Sequence, residues 1–119
     1  MAYGQPVAYR GRMLWFVLVL AVLLWGMLRP EGPHEPFPFF ALGLHVVAFL
    51  ALGLSARFAF SGWPGAWVWL PLLVAAPGLE ILQTLLQPGS RQFSLLDIGG
   101  NTLGAALAMS LWPWIRKWL

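Results

Sequence analysis

Four apolar runs, each close to the length of a bilayer crossing, take up most of the 119 residues of this chain. They cover residues 13–28, 39–60, 66–86 and 95–114. Each falls near the roughly 20 residues that a helix needs to cross about 30 Å of hydrocarbon, the first run being the shortest. Little sequence is left for a soluble domain. Hydrophobic residues make up 60% of the chain and charged residues 9%, where a soluble domain carries roughly a quarter charged. So few charges cannot cover a water-facing surface. The expected fold class is all-α, an integral membrane four-helix transmembrane bundle forming one domain over residues 1–119.

The breaks between runs are chemically distinct. The first run follows Arg10 and Arg12 and could be read as a signal peptide. It ends in Leu28-Arg29-Pro30-Glu31 with no small-x-small cleavage site, so it is expected to stay as an uncleaved span. A Pro-rich loop over Pro30 to Pro38 comes next, and Ser61-Gly62-Trp63-Pro64-Gly65 is a turn signal before the third run. Pro71 and Pro77-Gly78 inside that run predict a kink or a broken helix, which membrane helices tolerate when neighbours satisfy the freed carbonyls.

Orientation follows from the cations. With four crossings and the N-terminus inside, the inner segments hold Arg10, Arg12, Arg57, Arg116 and Lys117, and the outer loops hold Arg29 and Arg91. The positive-inside rule then selects both termini in the cytoplasm. The net charge of +3 is scattered at segment ends rather than gathered into a basic stripe, so nucleic acid is not an expected partner. Eight Trp and eight Phe, many near segment ends, suit interfacial aromatic belts. With no cysteine there is neither a disulfide nor a thiolate site.

Four carboxylates occur in the chain. Glu31 and Glu35 belong to the first loop, with His34 between them, and read as solvated. Glu80 and Asp97 lie in or at the edge of apolar runs, where an ionisable group requires a partner or a wet pocket. In the third run Glu80, Gln83, Thr84 and Gln87 follow i, i+3, i+4, i+7 and form one polar stripe. In the fourth, Asp97, Asn101, Gly104 and Ala108 share a face, and Gly100-x-x-x-Gly104-x-x-x-Ala108 lets a neighbouring helix approach closely. His45, Glu80 and Asn101 all count to about 9 Å below the outer boundary at 1.5 Å per residue. His45, Glu80, Gln83, Asp97 and Asn101 are therefore expected to converge in the outer half of the bundle, with Arg91 above them near the interface.

These residues also carry a resemblance. Glu80-x-x-Gln83, Gln87-Pro88-Gly89-x-Arg91 and Asp97-x-x-x-Asn101-x-x-Gly104 together resemble the signature of the VanZ-like family of bacterial membrane proteins, named for a protein associated with teicoplanin resistance. His45, with Phe49 four residues on, resembles the family's second-span motif, although Ala41 and Leu42 stand where the family has Asp and Lys, and Ala108 replaces its last glycine. The resemblance implies a multi-pass protein of the bacterial cytoplasmic membrane.

Two readings of the polar set follow. It is either an interhelical hydrogen-bond network that holds the bundle, or a pocket for a lipid headgroup or cell-wall precursor. Arg91 fits an interfacial charge, a partner for Asp97 or a phosphate contact. His45 fits a hydrogen-bonded core histidine, and without a recognisable ligand spacing no metal or cofactor is expected. Three functions remain in view. The first is binding of membrane lipids, a lipid-linked cell-wall precursor or a glycopeptide. The second is an intramembrane enzyme acting on a lipid phosphate or glycolipid, with Glu80 or His45 as base and Arg91 at the anion. The third is an assembly subunit, or a homo-oligomer, joined through the small-residue face of the fourth run.

Overall fold

The computed structural model describes residues 6–28, 39–87 and 94–118, with side chains from residue 10 onward. Four helices follow in order, α1 (Pro6–Leu28), α2 (Phe40–Ala59), α3 (Ala66–Leu86) and α4 (Leu95–Ile115), and a short 3-10 turn over Arg116–Trp118 extends α4. No strand occurs among the described residues, and the fold is all-α. Helices α1, α2 and α3 are long and apolar enough to cross a membrane. Helix α4 matches α3 at 21 residues but carries Asp97, Asn101 and three glycines, which lower its apolarity.

Helix α1 is the longest at 23 residues, although the first apolar run is the shortest. Apolarity marks the part of a helix that suits hydrocarbon and says nothing about where its hydrogen bonds begin. The helix therefore starts before Arg10 and Arg12, with a proline first, where the missing amide would have had no partner. Helix α3 runs unbroken through Pro71 and Pro77, so the broken helix that the sequence allows at Pro77-Gly78 does not form. Next to that proline, Asn101 Nδ2 of α4 donates to the carbonyl of Ala76 over 3.0 Å.

The inside of the bundle combines an apolar core with a few buried polar side chains, and its outside is large and apolar. Phe49 is fully buried among Leu23, Met27, Leu52, Leu72, Ala76 and Ala105. Trp15, Leu18, Val22 and Trp25 on α1, and Leu70 and Val74 on α3, are each more than half exposed. A soluble monomer rarely leaves so large an apolar surface uncovered, whereas hydrocarbon is a neutral surrounding for it. On the exposed side of α4, Thr102 and Ser110 donate to the carbonyls of Ile98 and Ala106, one turn back, so these hydroxyls need no water.

Helices α2 and α4 form the most intimate pair. A Cβ added at Gly104 would collide with the carbonyl oxygen of Val46 and lie 2.9 Å from Phe49 Cβ and 3.0 Å from Leu50 N. One added at Gly100 would meet Leu42 Cδ1 at 2.7 Å. Ala108 takes the third place, opposite Gly53, where an added Cβ would approach Ala108 Cβ to 2.7 Å. The small-residue face of α4 is thus filled within the chain, by α2, and is not left over for a partner's helix.

Charge is segregated along the bundle. Arg12 Nη1 donates to Ser61 Oγ over 2.9 Å, joining the start of α1 to the end of α2. Arg57 lies over the Trp112 ring at 5.6 Å, joining the end of α2 to the end of α4. Arg10, Arg12, Arg57, Arg116 and Lys117 therefore share one end, and Glu80 and Asp97 lie toward the other.

Gly104→Val should destabilise the chain by at least about 1–3 kcal/mol, the usual cost of overpacking, measured by unfolding in detergent. Gly99→Ala, where an added Cβ meets nothing within 4 Å, serves as the control and should be neutral or slightly stabilising. A Gly104→Val variant as stable as wild type would remove the backbone contact from this account.

Candidate functional site

At the carboxylate end, the polar stripe of α3 meets the ends of two neighbouring helices. The last carbonyls of a helix lack amide partners within it, as do the first amides. Gln83 Nε2 donates to the carbonyl of Met27 and Gln87 Nε2 to that of Leu28, so two glutamines tie off the end of α1. Glu80 turns the other way. Its Oε1 accepts from the backbone N–H of Ser94, the N-cap of α4, over 2.8 Å. Donor side chains thus meet the carbonyl end of one helix, and an acceptor meets the amide end of another. Glu80 is 2% exposed and Gln83 3%, so neither relies on bulk water.

The Glu80 contact decides what Asp97 does. Ser94 Oγ accepts from Asp97 N over 3.1 Å, one half of a capping box. In the usual box the side chain at Asp97's position would reach back to the N–H of Ser94. Here Glu80 holds that N–H, and the Asp97 carboxylate faces His45 instead, with Oδ2 3.4 Å from Nε2. Both carboxylates still lie near the N-terminus of α4, where its dipole favours negative charge.

Below this pair, Asn101 is fully buried and joins three helices. Its Nδ2 donates to Ala76 O on α3, and its Oδ1 lies 2.7 Å from His45 Nδ1 on α2. The carbonyl of Ala76 only accepts, so the amide nitrogen of Asn101 must face it and the amide oxygen must face His45. Nδ1 of His45 therefore carries a hydrogen. Neutral His45 would then point the lone pair of Nε2 at the carboxylate of Asp97, acceptor against acceptor. The contact is therefore completed by a proton shared by the two groups, or by a donor or cation that both can meet. His45 and Asp97 side chains are 10% and 24% exposed, the more accessible part of the cluster.

The predicted set therefore divides. His45, Asp97 and Asn101 are in direct contact, Glu80 joins them through Ser94, and Gln83 is turned to α1. Arg91 lies outside the described residues. Depth counting placed Glu80 level with Asn101, but Asn101 meets Ala76, one turn away from Glu80 along α3. The count assumed that α3 ends and α4 begins at one height, whereas the start of α4 lies alongside Glu80, well before α3 ends at Leu86. Ser94 was not singled out, although Ser94-x-x-Asp97 before an apolar run is a readable cap signature. Among the described residues no group of three or more His, Asp or Glu is placed to hold a metal ion.

Fold and site together define an all-helical membrane protein with a buried polar cluster at one end. Comparison with protein-family models, curated proteins and solved structures finds no match to the chain. The resemblance to the VanZ-like family accordingly rests on the motif residues themselves.

In a double-mutant cycle, His45→Ala and Asn101→Ala should be coupled by about 1 kcal/mol, within the range of buried polar pairs in membrane helices. Additive losses in unfolding measurements would show that the 2.7 Å contact contributes nothing to stability.

Proposed function

We propose that the chain is a VanZ-like protein of the bacterial cytoplasmic membrane that crosses it four times, with both termini inside, and binds the headgroup of a lipid-linked cell-envelope precursor at its outer end. The observation that carries the binding reading is the Asp97–His45 pair. Glu80 and Gln83 are engaged by helix ends and Asn101 by Ala76 and His45, while Asp97 faces His45 Nε2 and is itself only partly buried. With His45 neutral the pair presents two acceptors, which suit a headgroup rich in hydroxyl or amine donors. Binding there would alter access of a glycopeptide such as teicoplanin to the same precursor.

The fourth crossing draws support from α4 itself. Its 21 residues reach about 31 Å at 1.5 Å per residue, enough for the hydrocarbon layer. Asn101, Gly100 and Gly104 are turned inward, and the helix's exposed hydroxyls are satisfied by its own carbonyls. The orientation draws support from the five cations gathered at one end.

Because the chain has no cysteine, single substitutions report topology without background. Arg10→Cys and Lys117→Cys should both resist a membrane-impermeant thiol reagent in intact cells and react in inverted vesicles. Opposite behaviour of the two positions would leave an odd number of crossings and end the four-crossing reading.

For binding, expression in a susceptible bacterium should raise teicoplanin tolerance. Asp97→Ala and His45→Ala should abolish the gain at unchanged protein level, whereas Glu80→Gln, which keeps an acceptor for Ser94, should retain most of it. Wild-type tolerance in both Asp97→Ala and His45→Ala would exclude the pair as the binding feature.

A further inference from the structure

We infer that the cationic end of the bundle holds a phospholipid with an anionic headgroup, one acyl chain lying in a groove between α1, α2 and α3 and the phosphate resting on Arg12 and Ser61. This site lies at the opposite end from Asp97 and His45. In the orientation proposed above it faces the inner leaflet.

The groove has a volume of about 280 Å³ and an apolar lining that includes Phe16, Leu20, Ala56, Phe60, Trp67 and Pro71. Trp67 and Pro71 are exposed, so it opens sideways to the surroundings of the bundle. The three helices that form it are those apolar enough to cross a membrane, and the medium beside it is therefore hydrocarbon. The volume lies at the small end of ligand sites, which suits a narrow flexible chain better than a bulky ring system. Filling the groove restores dispersion contacts that its walls otherwise lack.

The polar end fixes which lipid. Arg12, Phe16 and Leu20 succeed one another at one helical turn and form one stripe of α1. The rings of Phe16 and Phe60 meet edge to face at 5.6 Å and close the groove. Just past them, Arg12 Nη1 donates to the hydroxyl of Ser61, the residue after Phe60. A guanidinium and a hydroxyl thus sit where the headgroup of a chain lying in the groove would emerge. The planar fork of donors on Arg matches phosphate oxygens in pairs. Arg57, whose Nη1 donates to the carbonyl of Phe60 over 3.0 Å, adds a second positive charge at the same turn. Both described carboxylates, Glu80 and Asp97, lie toward the far end. A choline headgroup would bring its own cation into this field, and a glycerol headgroup would not. Hence the preference for an anionic lipid.

Native mass spectrometry of the full chain in mild detergent, titrated with phosphatidylglycerol or phosphatidylcholine of identical acyl chains, tests this. Wild type should retain one phosphatidylglycerol with about fivefold preference, the scale of one basic side chain near an anionic lipid. Arg12→Gln should bring the two lipids to parity. Arg116→Gln, at the same end but not lining the groove, should keep the preference. Ala56→Phe fills the groove and should lower retention of both lipids; Leu20→Trp does the same from α1 if Ala56→Phe does not fold. The inference is overturned by equal retention of the two lipids in wild type, or by an unchanged preference in Arg12→Gln. It is also overturned if folded groove-filling variants keep the lipid, or if a second copy of the chain occupies the groove and lipid binding is excluded by dimerisation.

Discussion

Backbone groups at helix ends must find partners, and in an apolar surrounding water cannot be relied on to supply them. The polar stripe of α3 answers that requirement for two neighbours at once. Gln83 and Gln87 donate to the final carbonyls of α1, and Glu80 accepts from the first amide of α4. Each side chain has the hydrogen-bonding sense that its target demands. The helices are joined here by matched chemistry, while farther along the bundle they are joined by shape, through Gly100, Gly104 and Ala108 against α2.

The same requirement explains how a chain with few charges can hold two carboxylates in one buried cluster. Glu80 takes over the capping bond that Asp97 would otherwise make, and Asp97 is turned toward His45. One carboxylate is spent on the backbone, and the other is presented to an imidazole. Asn101 fixes the tautomer of that imidazole by presenting its oxygen to Nδ1, which follows from its own nitrogen being held by Ala76. The network and pocket readings of the cluster are therefore not exclusive. Its deep part is a network, and that network sets the geometry of its accessible part.

Much of this architecture was legible in the sequence because its signals are local. Runs of about 20 apolar residues give the helix count, and the spacing of Glu80, Gln83, Thr84 and Gln87 gives the stripe. The stripe's targets were not legible, since Gln83 meets a residue 56 positions away and Gln87 one 59 positions away. The local rule at Ser94-x-x-Asp97 would also have paired those two residues reciprocally. A glutamate on another helix displaced that pairing, which no single-segment pattern encodes. The onset of α1 was missed for a different reason, because hydropathy reports where a helix suits hydrocarbon and not where it starts. The partner of the α4 face was ambiguous too, since a stripe of small residues shows that something approaches closely without showing what. Gly53, opposite Ala108, was the complementary mark on α2.

The close fit of α4 against α2 also bears on the order in which the chain is assembled. Of the four helices, α4 is the least suited to partition into hydrocarbon by itself, and it follows the other three in the chain. The surface that receives Gly100 and Gly104 belongs to α2, and Asn101 meets α2 and α3, both made earlier. A helix of marginal apolarity therefore finds its docking surface already in place, and its polar residues can be buried as it arrives rather than afterwards. Gly104, the closest point of that fit, bears on the docking of α4 as well as on the stability of the finished bundle.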